Sequence, residues 1–264
     1  MDNTVWMGAE QVLYYSSLPG AAGLLCVLMF MGLSRKRGRV MLLSLSAAAG
    51  LNLLLKALFR VPQPWIAHPE AAPRFAEGGY ALPCLHTQII AAVLCAFALT
   101  SERRFLRFLC AAGICLTGAA RIAGGLQSVK DVLSGAAAGI LCAALLCRFV
   151  YFGKSPAGRW IALAAAGAAG LASALIFGDG WGLGTALSVL FLKALEKVFR
   201  WADSGRTRFG KCYGTVLAAG VYTGLYIFLP FLIEWLLTPL WPGQTLTVFL
   251  ITALPCLLGL FQVF

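Results

Sequence analysis

Six ionisable side chains stand where long apolar runs begin or end. Lys56 and Arg60 close one run, Arg121 closes another, Lys130 and Asp131 open a third, and His86 follows Pro83, Cys84 and Leu85 at the start of a fourth. Cations grouped around an imidazole can hold an anion and move a proton. Charges at such depth are costly unless paired or used, so they mark a ligand path or a polar network more often than chance. The second histidine, His68, lies in the polar stretch from Pro62 to Tyr80 and is expected to be a hydrogen-bonded structural group.

The elements that must position these groups follow from composition. Of 264 residues, 60% are hydrophobic and 12% charged, and the mean hydropathy is +0.84. A water-soluble domain carries about 25% charged residues, so the chain is expected to be an all-α, polytopic membrane protein. The excess of 21 Lys and Arg over 10 Asp and Glu would suggest nucleic acid in a soluble domain; here it sets topology, and no nucleic-acid partner is expected. The start, Met1-Asp2-Asn3, with Glu10 ahead of the first apolar run, lacks the basic n-region of a removable signal peptide. The nine cysteines include no C-x-x-C pair and lie mostly inside apolar runs, so neither a disulfide framework nor a metal site is expected, and no cofactor.

Apolar stretches near the bilayer-spanning length of about 20 residues run from Ser17 to Leu33, Val40 to Leu58, Thr87 to Leu99, Phe105 to Ala120, Val132 to Phe149, Trp160 to Phe177, Trp181 to Leu192, Tyr213 to Leu237 and Thr245 to Val263. About nine spans are therefore expected. The spacing Gly135 to Gly139 suits close helix contact, as does Gly167 to Gly170. Alternate loops divide the charge sharply: one set, from Arg35 to Arg39, Arg103 to Arg107, Arg148 to Arg159 and Lys193 to Lys211, holds sixteen Lys and Arg against three acids, and the other holds five against seven. The positive-inside bias then puts the N-terminus and the Lys56, His86 and Arg121 end outside, and the C-terminus in the cytoplasm, in an integral cell-membrane protein.

Three short motifs in these loops resemble the type 2 phosphatidic acid phosphatase family of membrane lipid phosphatases, whose patterns are K-x6-R-P, P-S-G-H and S-R-x5-H-x3-D. The corresponding residues are Lys56 with Gln63-Pro64, then Pro83-Cys84-Leu85-His86, then Ala120-Arg121 with Gln127 and Asp131. Order, spacing and helix-end placement agree over about residues 10 to 150. The resemblance implies a six-helix lipid-phosphatase-like core in residues 1–177, with residues 178–264 as three appended transmembrane helices. It also implies that Lys56 and Arg121 hold phosphate oxygens with Gln63, Cys84 and Gln127 beside them, and that His86 takes the place of the group that protonates the leaving alcohol.

The departures from the pattern bear on activity. The family's nucleophilic histidine is Gln127 here, and a carboxamide neither attacks phosphorus nor takes up a proton. The motif arginine is Gln63, the serine Cys84 and the glycine Leu85, so a bidentate cation, a hydroxyl donor and space for backbone approach are all missing. Arg60 and Lys130 are auxiliary candidates to restore positive charge. Asp131, vestigial without its histidine, is expected to pair with Arg121 or Lys130. Lys56, Gln63, His86, Arg121, Gln127 and Asp131 are expected to converge at one site. The expected function is that of an inactive relative that recognises a phosphorylated lipid at the outer leaflet as a binder, transporter component or regulator. The alternatives are an active lipid phosphate or diphosphate phosphatase with an altered nucleophile, and a structural membrane partner whose polar cluster is only a helix-end network.

Overall fold

The computed structural model describes residues 19–66 and 79–177. His68 and the three expected spans beyond Phe177 lie outside the described residues. Six helices follow one another: α1 (Pro19–Leu28, continued by a π-helical turn Met29–Leu33), α2 (Arg35–Phe59), α3 (Leu85–Thr100), α4 (Arg104–Ala123), α5 (Val129–Leu146, continued by a π-helical turn Cys147–Tyr151) and α6 (Pro156–Phe177). Among the described residues there is no strand. Three of the helices are long and apolar enough to cross a membrane: α2, α4, and α5 with its π-helical turn.

These helices occupy the first six apolar runs, but several extend into the charged flanks. α2 begins five residues before Val40 because Ser34 caps it, its Oγ accepting from the Arg37 amide at 3.4 Å. At the other end Arg60 adopts the left-handed conformation (φ 51°) and its N–H reaches back to Lys56 O at 2.9 Å, which stops the helix;. α4 continues past Ala120, so Arg121 sits inside its last turn. α5 begins at Val129 on a capping box made by Ser128 and Asp131;.

One apolar core joins α1, α2, α3, α6 and the end of α5, with Val27, Phe30, Met41, Leu45, Val93 and Leu146 buried in it. α4 stays at the margin, where Phe105, Phe108, Leu109 and Leu116 are exposed, as are Leu133, Ile140, Leu141 and Leu145 on α5. Apolar faces of this extent are costly in water and are what a lipid-facing surface requires. α3 packs most extensively on α5. Gly135 and Gly139 permit this: a Cβ at 135 would meet Cys84 O at 2.6 Å, and one at 139 would clash with Gln88 O.

The helix ends divide into two groups. At one end Lys36 lies over the Tyr151 ring at 4.3 Å, and Arg107 donates through Nε and Nη2 to Ser101 O at 3.0 and 2.8 Å, closing the end of α3. At the other end the close of α2 and the starts of α3 and α5 meet. The basic loops from Arg35 to Lys154 thus gather opposite Lys56, His86 and Arg121.

Because Gly139 lies directly on the α3 backbone, Gly139→Leu should lower stability by about 1–3 kcal/mol, the scale of overpacking a closed contact. Ala137→Leu, on the exposed face of the same helix, should shift it little. Thermal unfolding of the detergent-purified variants reads the difference.

Candidate functional site

The site is assembled from loops drawn in against helix ends. After α2 the chain turns so that the Ala81 amide donates to Val61 O at 2.8 Å, which brings the segment leading into α3 alongside residues 61–63. Gln63, only 2% exposed, donates through Nε2 to Tyr80 O at 3.3 Å. After α4, the amides of Leu126 and Gln127 both fold back onto Arg121 O, at 3.1 and 3.2 Å. Gly125 makes that tight return with φ +67°, a conformation glycine adopts without strain;.

This return carries Gln127 to Gln63. Its Nε2 donates to Gln63 Oε1 at 3.0 Å, joining residues 64 positions apart. The two carboxamides that stand in place of a histidine and an arginine are therefore bonded to each other. Arg121 is 1% exposed and is the largest fully buried side chain among the described residues. His86, also buried, lies within electrostatic reach of both Arg121 and the half-buried Lys56.

Asp131 serves the scaffold. Its Oδ2 accepts from the Ser128 amide at 2.9 Å and from Ser128 Oγ at 2.7 Å, while its carbonyl accepts the Cys84 amide at 2.9 Å. The carboxylate expected to pair with Arg121 or Lys130 closes the capping box through Oδ2, because a serine three residues earlier offers two donors at a helix start where the dipole also favours negative charge;. Cys84 is fully buried; its amide is engaged by Asp131 and its Sγ accepts from Thr87 Oγ1 at 3.3 Å. Arg60 and Lys130 are both exposed, and Arg60 Nε donates to Ala57 O at 3.1 Å. Among the described residues, no three His, Cys, Asp or Glu groups gather as a metal-ligand set.

A second carboxamide chain lies deeper. Gln88 Nε2 donates to Ala48 O at 2.9 Å, and Asn52 Nδ2 donates to Gln88 Oε1 at 2.8 Å and to Pro83 O at 3.0 Å. It ties the α2 stripe that ends in Lys56 to the turn that presents His86. The sequence signal was there: Asn52 precedes Lys56 by one helical turn, and Gln88 interrupts an otherwise apolar run.

Residues 37–154 match the family model of the PAP2 superfamily, the type 2 phosphatidic acid phosphatase group, and that segment belongs to it. The match runs from the start of α2 past the end of α5 and includes all three motif positions. The matched segment, less than half of the chain, is thus lipid-phosphatase-like, and its long apolar helices are of membrane-spanning length. No curated protein and no solved structure matches it.

Asn52→Leu should destabilise the protein by about 1–3 kcal/mol, since it strands buried Pro83 O and Gln88 Oε1 without this donor. Gln88→Leu and the double variant should show that the two losses are not additive, read by thermal unfolding in detergent.

Proposed function

We propose that this chain is a degenerate, catalytically inactive PAP2-superfamily protein that binds a phosphorylated lipid. The observation that carries the proposal is the hydrogen bond from Gln127 to Gln63 beside Arg121. A carboxamide has no basic lone pair with which to attack phosphorus, and this one is committed to a second carboxamide. The groups suited to holding phosphate remain: Lys56 and Arg121 supply charge-assisted donors, which strengthen in a site shielded from water. His86, held near both cations, serves as a further contact to the head group. In this reading residues 1–177 form the binding core and residues 178–264 an appendage. The site faces the outer leaflet, as the charge division between the loops supports.

The test uses the purified full chain in lipid nanodiscs. It should release no phosphate from lipid phosphates or diphosphates under conditions where a superfamily member with intact motifs turns over, and Gln127→His alone should restore little, because Gln63, Cys84 and Leu85 remain. It should bind a lipid phosphate, with Lys56→Gln and Arg121→Ala each weakening binding by about tenfold or more, the scale of losing a charged donor. Vanadate-sensitive turnover by the unmodified chain, abolished by His86→Ala, would overturn the reading and indicate a relocated nucleophile. A folded chain with no phosphate-dependent binding would instead point to a structural role.

A further inference from the structure

The end of the bundle opposite Lys56, His86 and Arg121 gathers positive charge with little to balance it. Arg35, Lys36, Arg37 and Arg39 lie at the start of α2, while Arg148 lies within the π-helical turn that closes α5 and Lys154 just past it. Neither stretch, 35–39 or 147–154, contains an acid. Among the described residues the one acid at this end is Glu102, in the loop between α3 and α4.

The contact that joins the two stretches is uncharged on one side. Lys36 Nζ lies 4.3 Å from the centre of the Tyr151 ring, and that ring meets Phe152 edge to face with centroids 4.8 Å apart. A ring face attracts an ammonium through its quadrupole and brings no negative charge, so the contact draws cations together without neutralising them. Cations held at such spacing repel one another, and an anion among them relieves the repulsion. The neighbouring side chains say which anion. Leu33, Phe149 and Phe152 are exposed in or beside the same stretches, and basic groups mixed with large apolar ones suit the boundary between lipid head groups and acyl chains. A soluble anion would meet the cations and leave the apolar side chains in water. We propose that the start of α2 and the end of α5 form a site for an anionic phospholipid of the leaflet at that end, with Lys36, Arg37, Arg148 and Lys154 around its phosphate and Phe149 and Phe152 against its chains. The site shares no residue with the phosphate site proposed above and does not rest on that reading.

The experiment titrates the purified full chain, in a neutral detergent, with dioctanoyl phosphatidylglycerol and dioctanoyl phosphatidylcholine, read by microscale thermophoresis. The unmodified chain should prefer the phosphatidylglycerol by about tenfold or more. Raising NaCl from about 50 to about 500 mM should erase most of that preference, because exposed charges are then screened within a few ångströms. Each cation near an anionic head group is worth a factor of about five, so Lys36→Gln combined with Arg148→Gln should leave little of the preference. Arg103→Gln combined with Arg104→Gln removes the same charge from the same end of the bundle and should change it by less than about twofold. Equal losses in the two double variants would overturn the proposal by assigning the effect to the net charge of the whole end. No preference in the unmodified chain, or a preference indifferent to salt, would overturn it without any variant. Glycerophosphoglycerol, the head group without chains, binding as tightly as the lipid would overturn it in favour of a soluble anion.

Discussion

The site depends on how closely α5 lies against α3. Two positions on α5 lack side chains, Gly135 and Gly139, so its backbone reaches the carbonyls of Cys84 and Gln88 directly. At that separation the Cys84 amide meets Asp131 O, which fixes the turn before His86 to the first turn of α5. The capping box of Ser128 and Asp131 then sets where α5 begins, and with it the length of the loop that returns Gln127 to Arg121. A bulkier residue at either glycine would separate the second motif from the third before any ligand contact was touched.

Around this framework, buried polarity is organised by carboxamides. The pair Gln63 and Gln127 joins the loop after α2 to the loop after α4, while Asn52 and Gln88 join α2 to α3. Amides are neutral, so they can be buried at the end of an apolar bundle at far less cost than charges, and each serves as donor and acceptor at once. That suits a site whose remaining charge is concentrated in Lys56 and the deeply buried Arg121. In the proposed reading this arrangement holds a phosphate still and offers no nucleophile at position 127.

Much of this was legible in the sequence for physical reasons. The bilayer sets a length for apolar runs, so all six described helices fall where those runs are, and the motif spacings place Lys56, His86 and Arg121 at helix ends facing one direction. What escaped was pairing over long separations. Nothing local in Gln63 or Gln127 says that they meet across 64 residues, and the partnership of Asn52 with Gln88 depends on which faces of α2 and α3 touch. Charge alone points Asp131 toward a cation, whereas Ser128, three residues before it, engages one carboxylate oxygen with two hydrogen bonds at the helix start. Hydropathy alone places the helix starts late, because caps at Ser34 and Ser128 draw charged residues into the first turn.

The central claim is that the two carboxamides replacing a motif arginine and a motif histidine are bonded to each other and close the first motif onto the third. A double-mutant cycle measures it most directly, using Gln63→Ala, Gln127→Ala and the double variant of the full chain, with stability read by thermal unfolding without ligand. The account predicts that the two losses are not additive, with a coupling of about 0.5–1.5 kcal/mol, the net worth of one buried hydrogen bond. Additive losses in folded variants would contradict it, since they would mean that Gln63 and Gln127 do not meet.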